Sequence, residues 1–499
     1  MSNAVSHAPA ARVSAPHTVS RSADNTSAQA AAPSIPDRAP FRWTKRDLHT
    51  LPVQSHGSVP SWLRGQLLRT APAVFEAGPF RADHWFDGLG LVYGFSFGEQ
   101  VRFQQRQLDC EHARQIEKGR VDTATFGTSM KRGFFSRLTQ PVPKFTDNAN
   151  VNIVPWQGQW LALTETPLQH VVGNEDLASR GLARYEDKLP GNNTAHPQFD
   201  FERNAMISLS VTYGPKSEVW ITRQSPDSNK RTLEGKLAFK RVPYIHAFGL
   251  SPRHAVIIDH PLSVNPLAML FSNKGFIDHF KWQPERGTRL CTLQRDTGVW
   301  TEHETESLFC FHVVNQFDDG QDVVIDFLAY DDARTIAALT ASSLAQLRGL
   351  PFAPRLVRAR LQPGKKHVAL EQLSEERFEF PNIPYRAQNG HRYSTAWGAT
   401  FVDAPDAVTS WPSQIVRVDL ASDRVTRFSE DHMTYGEPVF VPRPGAARPD
   451  DGVLLTVGSH AHEERSVLAI LDATSLEPVA RCEVELSLPL GFHGNYRAG

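Results

Sequence analysis

RVPYIHAFGLSPRHAVIIDHPL, residues 241–262, is two pieces joined at a turn. The first, PYIHAFGL, sets one imidazole, His246, among apolar neighbours. The second, HAVIIDHP, has a β-branched centre (Val256, Ile257, Ile258) and ends at Pro261. It reads as a buried strand preceded by a loop at Ser251 and Pro252. A histidine at the lip of such a strand points either into a core or at a metal, imidazole being the commonest metal ligand. His246 alone does not choose between them, so the rest of the chain must supply the other ligands.

Outward from this stretch, turn residues punctuate short β-rich runs. QWLALTET (159–166), SEVWITRQ (217–224), QDVVIDFLAY (321–330), QIVRVDL (414–420), GVLLTVGS (452–459) and SVLAILD (466–472) are the clearest. Several lead through a turn into a second run, as in VRVDLASDRVTRFSE. Repeated hairpins from Phe41 onward predict an all-β propeller or large barrel. No clean repeat period appears, so the blade count is not readable from periodicity. Helical stretches are expected to be few, the clearest around Asp332–Arg348 and Pro266–Phe280.

Residues 1–40 are rich in Ala, Ser and Pro. They cannot bury enough apolar surface to offset ordering entropy, and read as a disordered segment ahead of one β unit over 41–499. They contain no secretory apolar core, and an organellar transit peptide stays open.

The 499 residues carry a formal net charge of −1, which argues against an electrostatic nucleic-acid partner. The four cysteines (Cys110, Cys291, Cys310, Cys482) form no CxxC and point to a reducing, cytoplasmic setting without a disulfide framework. No apolar run reaches the ~18 residues that a membrane-spanning helix needs. Two segments interleave apolar and basic residues: GTSMKRGFFSRL (127–138) and NPLAMLFSNKGFIDHFKW (265–282). Each reads equally as an interfacial helix touching lipid or as an ordinary surface helix or lid.

Three further histidines sit in distinctive contexts: His196 in NNTAHPQFD, His312 in LFCFHVVNQFDDG and His493 in LPLGFHGNY. None belongs to a local metal motif, so they are either scattered structural residues or ligands converging through tertiary structure. An all-nitrogen set suits Fe, Cu, Ni or Zn. Ligating histidines commonly donate their other N–H to a carboxylate or carbonyl. That draws attention to Glu165 in LALTETP, Glu379 in FEFP and Glu437 in YGEPVFVP, carboxylates in apolar surroundings. The alternative for each is pairing with Arg or Lys, or a strand end in water.

The chain also resembles the carotenoid cleavage oxygenases, the family that includes the retinal pigment epithelial membrane protein and the carotene oxygenases. The likeness runs from about Trp62 to Tyr496. Its motifs are RGQLLRTAPAVFE, HWFDGLGLVYGF, TDNANVN, TETP, TAHP, IHAFGLS, FHVVNQFDDG, FEFPNIPY, GEPVFVPRP, DDGVLLTV and GFHG, in this order. Each is weak alone, and their order and spacing are specific. The resemblance implies a seven-bladed β-propeller with a helical cap over an axial Fe(II) site and a nonpolar tunnel. It implies His196, His246, His312 and His493 as the iron ligands. Glu165, Glu379 and Glu437 would support His246, His312 and His493, leaving His196 without a carboxylate. It further implies O₂ as co-substrate and oxidative cleavage of a double bond of a carotenoid or apocarotenoid to aldehydes. A stilbene cleaver, a non-oxidative retinoid isomerase and a non-catalytic propeller scaffold are the competing readings. The two apolar segments fall where family members have membrane-contacting cap elements, which implies a peripheral membrane association. Val151 stands where many members have threonine near the iron. His84 in HWFDG reads as structural rather than as a fifth ligand.

Overall fold

The computed structural model describes residues 34–44, 48–346, 353–400 and 411–499. Strands form where the sequence alternates or runs apolar. SEVWITRQ and SVLAILD are strands over their whole expected length, and HAVIID forms His254–Asp259. These strands build seven antiparallel blades in chain order, so the expected all-β propeller is the observed fold.

The innermost strands of blades one to seven are Gly494–Ala498, Asn152–Trp156, Gln198–Asp200, Gly249–Leu250, Phe309–Asp319, the last part of Leu370–Asn382, and Val439–Pro442. The 13-residue strand Leu370–Asn382 serves twice, as the outer strand of blade five and then the inner strand of blade six. Apolar faces of neighbouring blades pack together. Leu67, Phe95 and Phe103 of blade one meet Leu455, Leu468 and Ile470 of blade seven in one buried cluster.

The ring is closed at both ends of the chain. Gly494–Ala498 pairs antiparallel with Gly65–Val74, and Gln54–Gly57 pairs with Pro478–Val484 in blade seven. An open propeller would leave those two sheet edges unpaired, a standing template for aggregation.

Loops at one end of the ring rise into a cap. Its helical parts are short: Phe134–Thr139, Arg334–Ala338 and Ala341–Gln346. The helix expected around Asp332–Arg348 is thus two pieces, with its last two residues outside the described ones. The helix expected over Pro266–Phe280 is not formed. Two 3₁₀ turns, Pro266–Met269 and Ile277–His279, stand in its place. Asn265 caps the first turn by accepting from the Leu267 N–H, while Phe271 takes a left-handed φ of 59° that ends helical progress. Among the described residues no helix is long and apolar enough to cross a membrane.

Of the segment 1–40, residues 1–33 lie outside the described residues. Ile35 and Phe41 are buried with Trp85, Leu344, Trp411, Leu490 and Phe492. Phe41 stands edge-on to Trp411 at 4.9 Å and to Trp85 at 5.6 Å. One isoleucine and one phenylalanine suffice to hold this stretch, because the cap offers them an aromatic socket.

Candidate metal centre

Every blade contributes one group to the axis. Blades one, three, four and five carry His493, His196, His246 and His312 on or just before their inner strands. The other three carry carboxylates: Glu165 follows the second strand of blade two, Glu379 lies in the inner strand of blade six, and Glu437 precedes that of blade seven.

The four imidazoles converge, with one ligand-capable nitrogen from each lying within 4.8 Å of the others. His196 Nε2 is 2.9 Å from His246 Nε2, and His312 Nε2 is 3.2 Å from His493 Nε2. Five of the six ring pairs have centroids 4.4–5.2 Å apart, and His246 and His493 are 6.5 Å apart. One far pair and five near pairs is the pattern of four octahedral corners with two adjacent corners left without a protein donor.

The outer nitrogens set the tautomers. His246 Nδ1 donates to Glu165 Oε1 at 2.5 Å, His312 Nδ1 to Glu379 Oε2 at 2.6 Å, and His493 Nδ1 to Glu437 Oε1 at 2.8 Å. His196 makes no such bond among the described residues. A neutral imidazole that donates from Nδ1 has only a lone pair at Nε2. His312 and His493 therefore point two acceptors at each other across 3.2 Å, with no proton between them. That contact is repulsive unless a cation shares it.

Charge points the same way. Among the described residues, Arg69 is the only guanidinium or ammonium paired with any of the three glutamates, its Nη1 3.7 Å from Glu437 Oε2. Three carboxylates against one guanidinium leave a deficit of two positive charges, which a divalent ion would offset. Burial holds the His493 imidazole down to about 4, against the pull of Glu437. Burial and the other three rings hold His196 well below its ordinary value. Burial alone would raise Glu379, but His312, Tyr330 and the Phe380 N–H outweigh it and hold it below the usual carboxylate range. Neutral imidazoles beside ionised carboxylates are the protonation states that a metal requires.

Three supporting residues escaped the sequence reading. The Tyr244 hydroxyl donates to Glu165 at 2.8 Å, and that of Tyr330 to Glu379 at 2.5 Å. Arg69, fully buried, donates to the carbonyls of Glu437 (2.9 Å) and Phe492 (3.3 Å). Two signals were available: Tyr244 shares a strand-like face with His246 two residues on, and Arg69 interrupts the apolar run QLLRTA.

His246, His312 and His493 line a cavity of about 680 Å³; its walls include Phe86, Phe126, Phe311, Leu490 and Phe492. Val151 lines it as well, and its carbonyl accepts from the His493 N–H at 3.2 Å. Its side chain offers no ligand atom. His84 is away from the four rings: Nδ1 accepts from the Phe86 N–H at 3.1 Å and Nε2 donates to the Ile336 carbonyl at 3.0 Å, fastening the cap. Asp87 secures the neighbouring loop by accepting from the N–H groups of Phe126 (2.7 Å) and Gly127 (2.9 Å).

A β-propeller with an axial tetrad of histidines, three of them carboxylate-backed, beside an apolar cavity is the class of protein this geometry defines. Residues 41–498 match the model of the retinal pigment epithelial membrane protein family, and the chain belongs to that family. It is 27 % identical to a mitochondrial carotenoid-cleaving dioxygenase of Mustela putorius furo, over 93 % of this chain and 96 % of the relative. It is also 27 % identical to the beta,beta-carotene 15,15'-dioxygenase of Rattus norvegicus, over 90 % and 89 %. Among solved structures, a cobalt-substituted Synechocystis ACO superposes with a TM-score of 0.82 at 24 % identity, covering 92 % of this chain and 98 % of the other, and shows the same fold.

Proposed function

We propose that this chain is a nonheme Fe(II) dioxygenase that cleaves a double bond of a carotenoid or apocarotenoid to aldehyde products. The observation that carries the reading is the pair of facing Nε2 lone pairs, His312 and His493, at the floor of a large apolar cavity. His196, His246, His312 and His493 would hold the iron, and Glu165, Glu379 and Glu437 would keep three of the four rings in the ligating tautomer. Bound Fe(II) would supply the electronic means for O₂ to react with a closed-shell alkene. Both oxygen atoms end in the two carbonyls, so no external reductant is required. The chain's own residues do the rest. Phe86, Phe311 and Phe492 exclude water and hold a polyene against the tetrad, and Val151 keeps the space beside it apolar. The names of the relatives from ferret and rat support the substrate class.

The same reading places the cavity mouth on a membrane. The two apolar segments are joined: Arg132 Nη2 donates to the Ser272 carbonyl at 2.6 Å, and the Phe271 N–H to the Pro141 carbonyl at 3.1 Å. Together they expose Phe135 (80 %), Leu267 (65 %) and Phe134 (62 %), and Leu267 also lines the cavity with Val142 and Leu270. A polyene entering there need not cross water, at about 0.8 kcal/mol per CH₂.

The test is aerobic incubation of Fe(II)-loaded protein with carotenoids and apocarotenoids, with products read by chromatography and mass. Two carbonyl fragments bearing both atoms of ¹⁸O₂ are expected. Product of unchanged mass would mean an isomerase, and full iron loading without product would mean a binding scaffold. Either outcome overturns the reading.

A further inference from the structure

We infer that the Tyr213 hydroxyl makes the cavity select polyenes that carry a neutral oxygen, an aldehyde or an alcohol, over the matching hydrocarbons; this rests on the cavity holding a polyene as proposed above. Tyr213 follows the strand Ala205–Thr212 of blade three and lines the cavity, its ring edge-on to Phe276 at 5.7 Å. Several of the cavity's other polar groups are committed; the indole N–H groups of Trp85 and Trp411, which line it too, are unpartnered among the described residues. Tyr330 donates to Glu379, the Asn150 amide donates to the carbonyls of Phe86 and Gly88, and the Asn193 amide bonds the backbone of Val211 at both ends. The imidazole of His279 is held by Ser272 and the Phe276 carbonyl. Among the described residues the Tyr213 hydroxyl alone of the cavity's phenols has no hydrogen-bond partner.

A phenylalanine would give the same ring packing, so the hydroxyl must be accounted for by what occupies the cavity. In the open cavity the hydroxyl is free to bond to water. A hydrocarbon that displaces the water strands the O–H, and a buried unpaired hydroxyl is costly. A ligand carbonyl accepts from it, and a ligand hydroxyl can both accept and donate. Sites built to hydrogen-bond a ligand oxygen reject the analogue that lacks it. Burial first, and then the Glu165 carboxylate, push the phenol above its ordinary range, so it stays a donor.

The experiment compares the Fe(II)-loaded wild type with Tyr213→Phe on an apocarotenal, its alcohol and its deoxy hydrocarbon. In the wild type, kcat/KM for aldehyde and alcohol should exceed that for the hydrocarbon about tenfold, one hydrogen bond's worth. Tyr213→Phe should bring that ratio near one, by losing on the aldehyde and alcohol and gaining on the hydrocarbon. An equal change on all three, or no change, overturns the inference. Anaerobic dissociation constants of the same three compounds, from tryptophan quenching, separate it from the proposed activity. If nothing is cleaved but the wild type still binds the oxygenated compounds more tightly and Tyr213→Phe does not, the selectivity stands and the cleavage reading falls. If both proteins bind all three alike, the selectivity falls.

Discussion

Glu379→Gln is the sharpest perturbation of the centre, because it changes charge with almost no change in shape. Three donors converge on this carboxylate: His312 Nδ1 at 2.6 Å and the Phe380 N–H at 3.1 Å on Oε2, and the Tyr330 hydroxyl at 2.5 Å on Oε1. A glutamine fits if its oxygen faces His312 and Phe380 while its NH₂ donates to Tyr330, whose hydroxyl can turn to accept. The tautomer of His312 is then kept, but a charge-assisted bond becomes a neutral one. Such bonds differ by roughly a factor of two in strength. Loss of a carboxylate behind a ligating histidine typically weakens metal binding by 10–100-fold, about 1.4–2.7 kcal/mol. Chelator competition with Fe(II) or Co(II), followed by metal analysis after dialysis, should give that drop. In Tyr330→Phe the same Glu379→Gln change leaves the amide NH₂ without an acceptor, so the double variant should lose more than the two single losses combined. The exposed Glu375→Gln is the control and should bind metal as the wild type does. Wild-type affinity and turnover in Glu379→Gln, both within about twofold, would remove Glu379 from the role proposed here.

Other predictions concern the protein's stability and its surface. His84, His112 and His260 are held by burial to about 4, 4 and 3. The unfolded chain protonates these rings near 6.5 and the folded one does not, so stability should fall as pH drops from about 6.5 towards 4, by up to roughly 1.4 kcal/mol per pH unit per histidine. Asp87, raised by burial to about 6, opposes one of the three in the lower part of that window. Urea midpoints of metal-free protein at pH 7.5, 6 and 5 check the net fall, and a flat series would refute it. Gly275→Ala would set a Cβ 2.6 Å from the Gly127 Cα and 2.5 Å from its carbonyl carbon, backbone that cannot yield cheaply. It should cost about 1–3 kcal/mol, read as a lower melting temperature and faster proteolysis between 127 and 145. Phe135→Ser with Leu267→Ser should cut co-sedimentation with phospholipid vesicles at least tenfold while leaving the melting temperature within a degree or two, since both side chains are exposed. Equal vesicle binding would refute the membrane assignment. Phe41→Ala should cost about 3–5 kcal/mol of stability by chemical denaturation, because its ring fills the socket between Trp85 and Trp411.

Local chemistry wrote much of this protein into its sequence. Alternation and β-branching placed strands such as Ser217–Gln224 and His254–Asp259, because a strand's two faces are decided residue by residue. The eleven motifs carried the family, and with it seven blades that no repeat period shows. Pro266–Phe280 misled the reading because its apolar residues suit a helix, while Phe271 and the contact of Gly275 with Gly127 turn the chain instead.

What only the tertiary structure decided lies in the pairings. Glu165 and His246 are 81 residues apart and sit on the second and fourth blades. Arg69 reaches Glu437 across 368 positions because the last strand of the chain closes the first blade. No local preference encodes such contacts, since they form only when the whole ring shuts and brings the ends of seven inner strands to one axis. The sequence therefore named the histidines and the glutamates. Closure of the ring decided which carboxylate turns which imidazole, that Tyr244, Tyr330 and Arg69 steady Glu165, Glu379 and Glu437, and that the Tyr213 hydroxyl lines the cavity with no hydrogen-bond partner among the described residues.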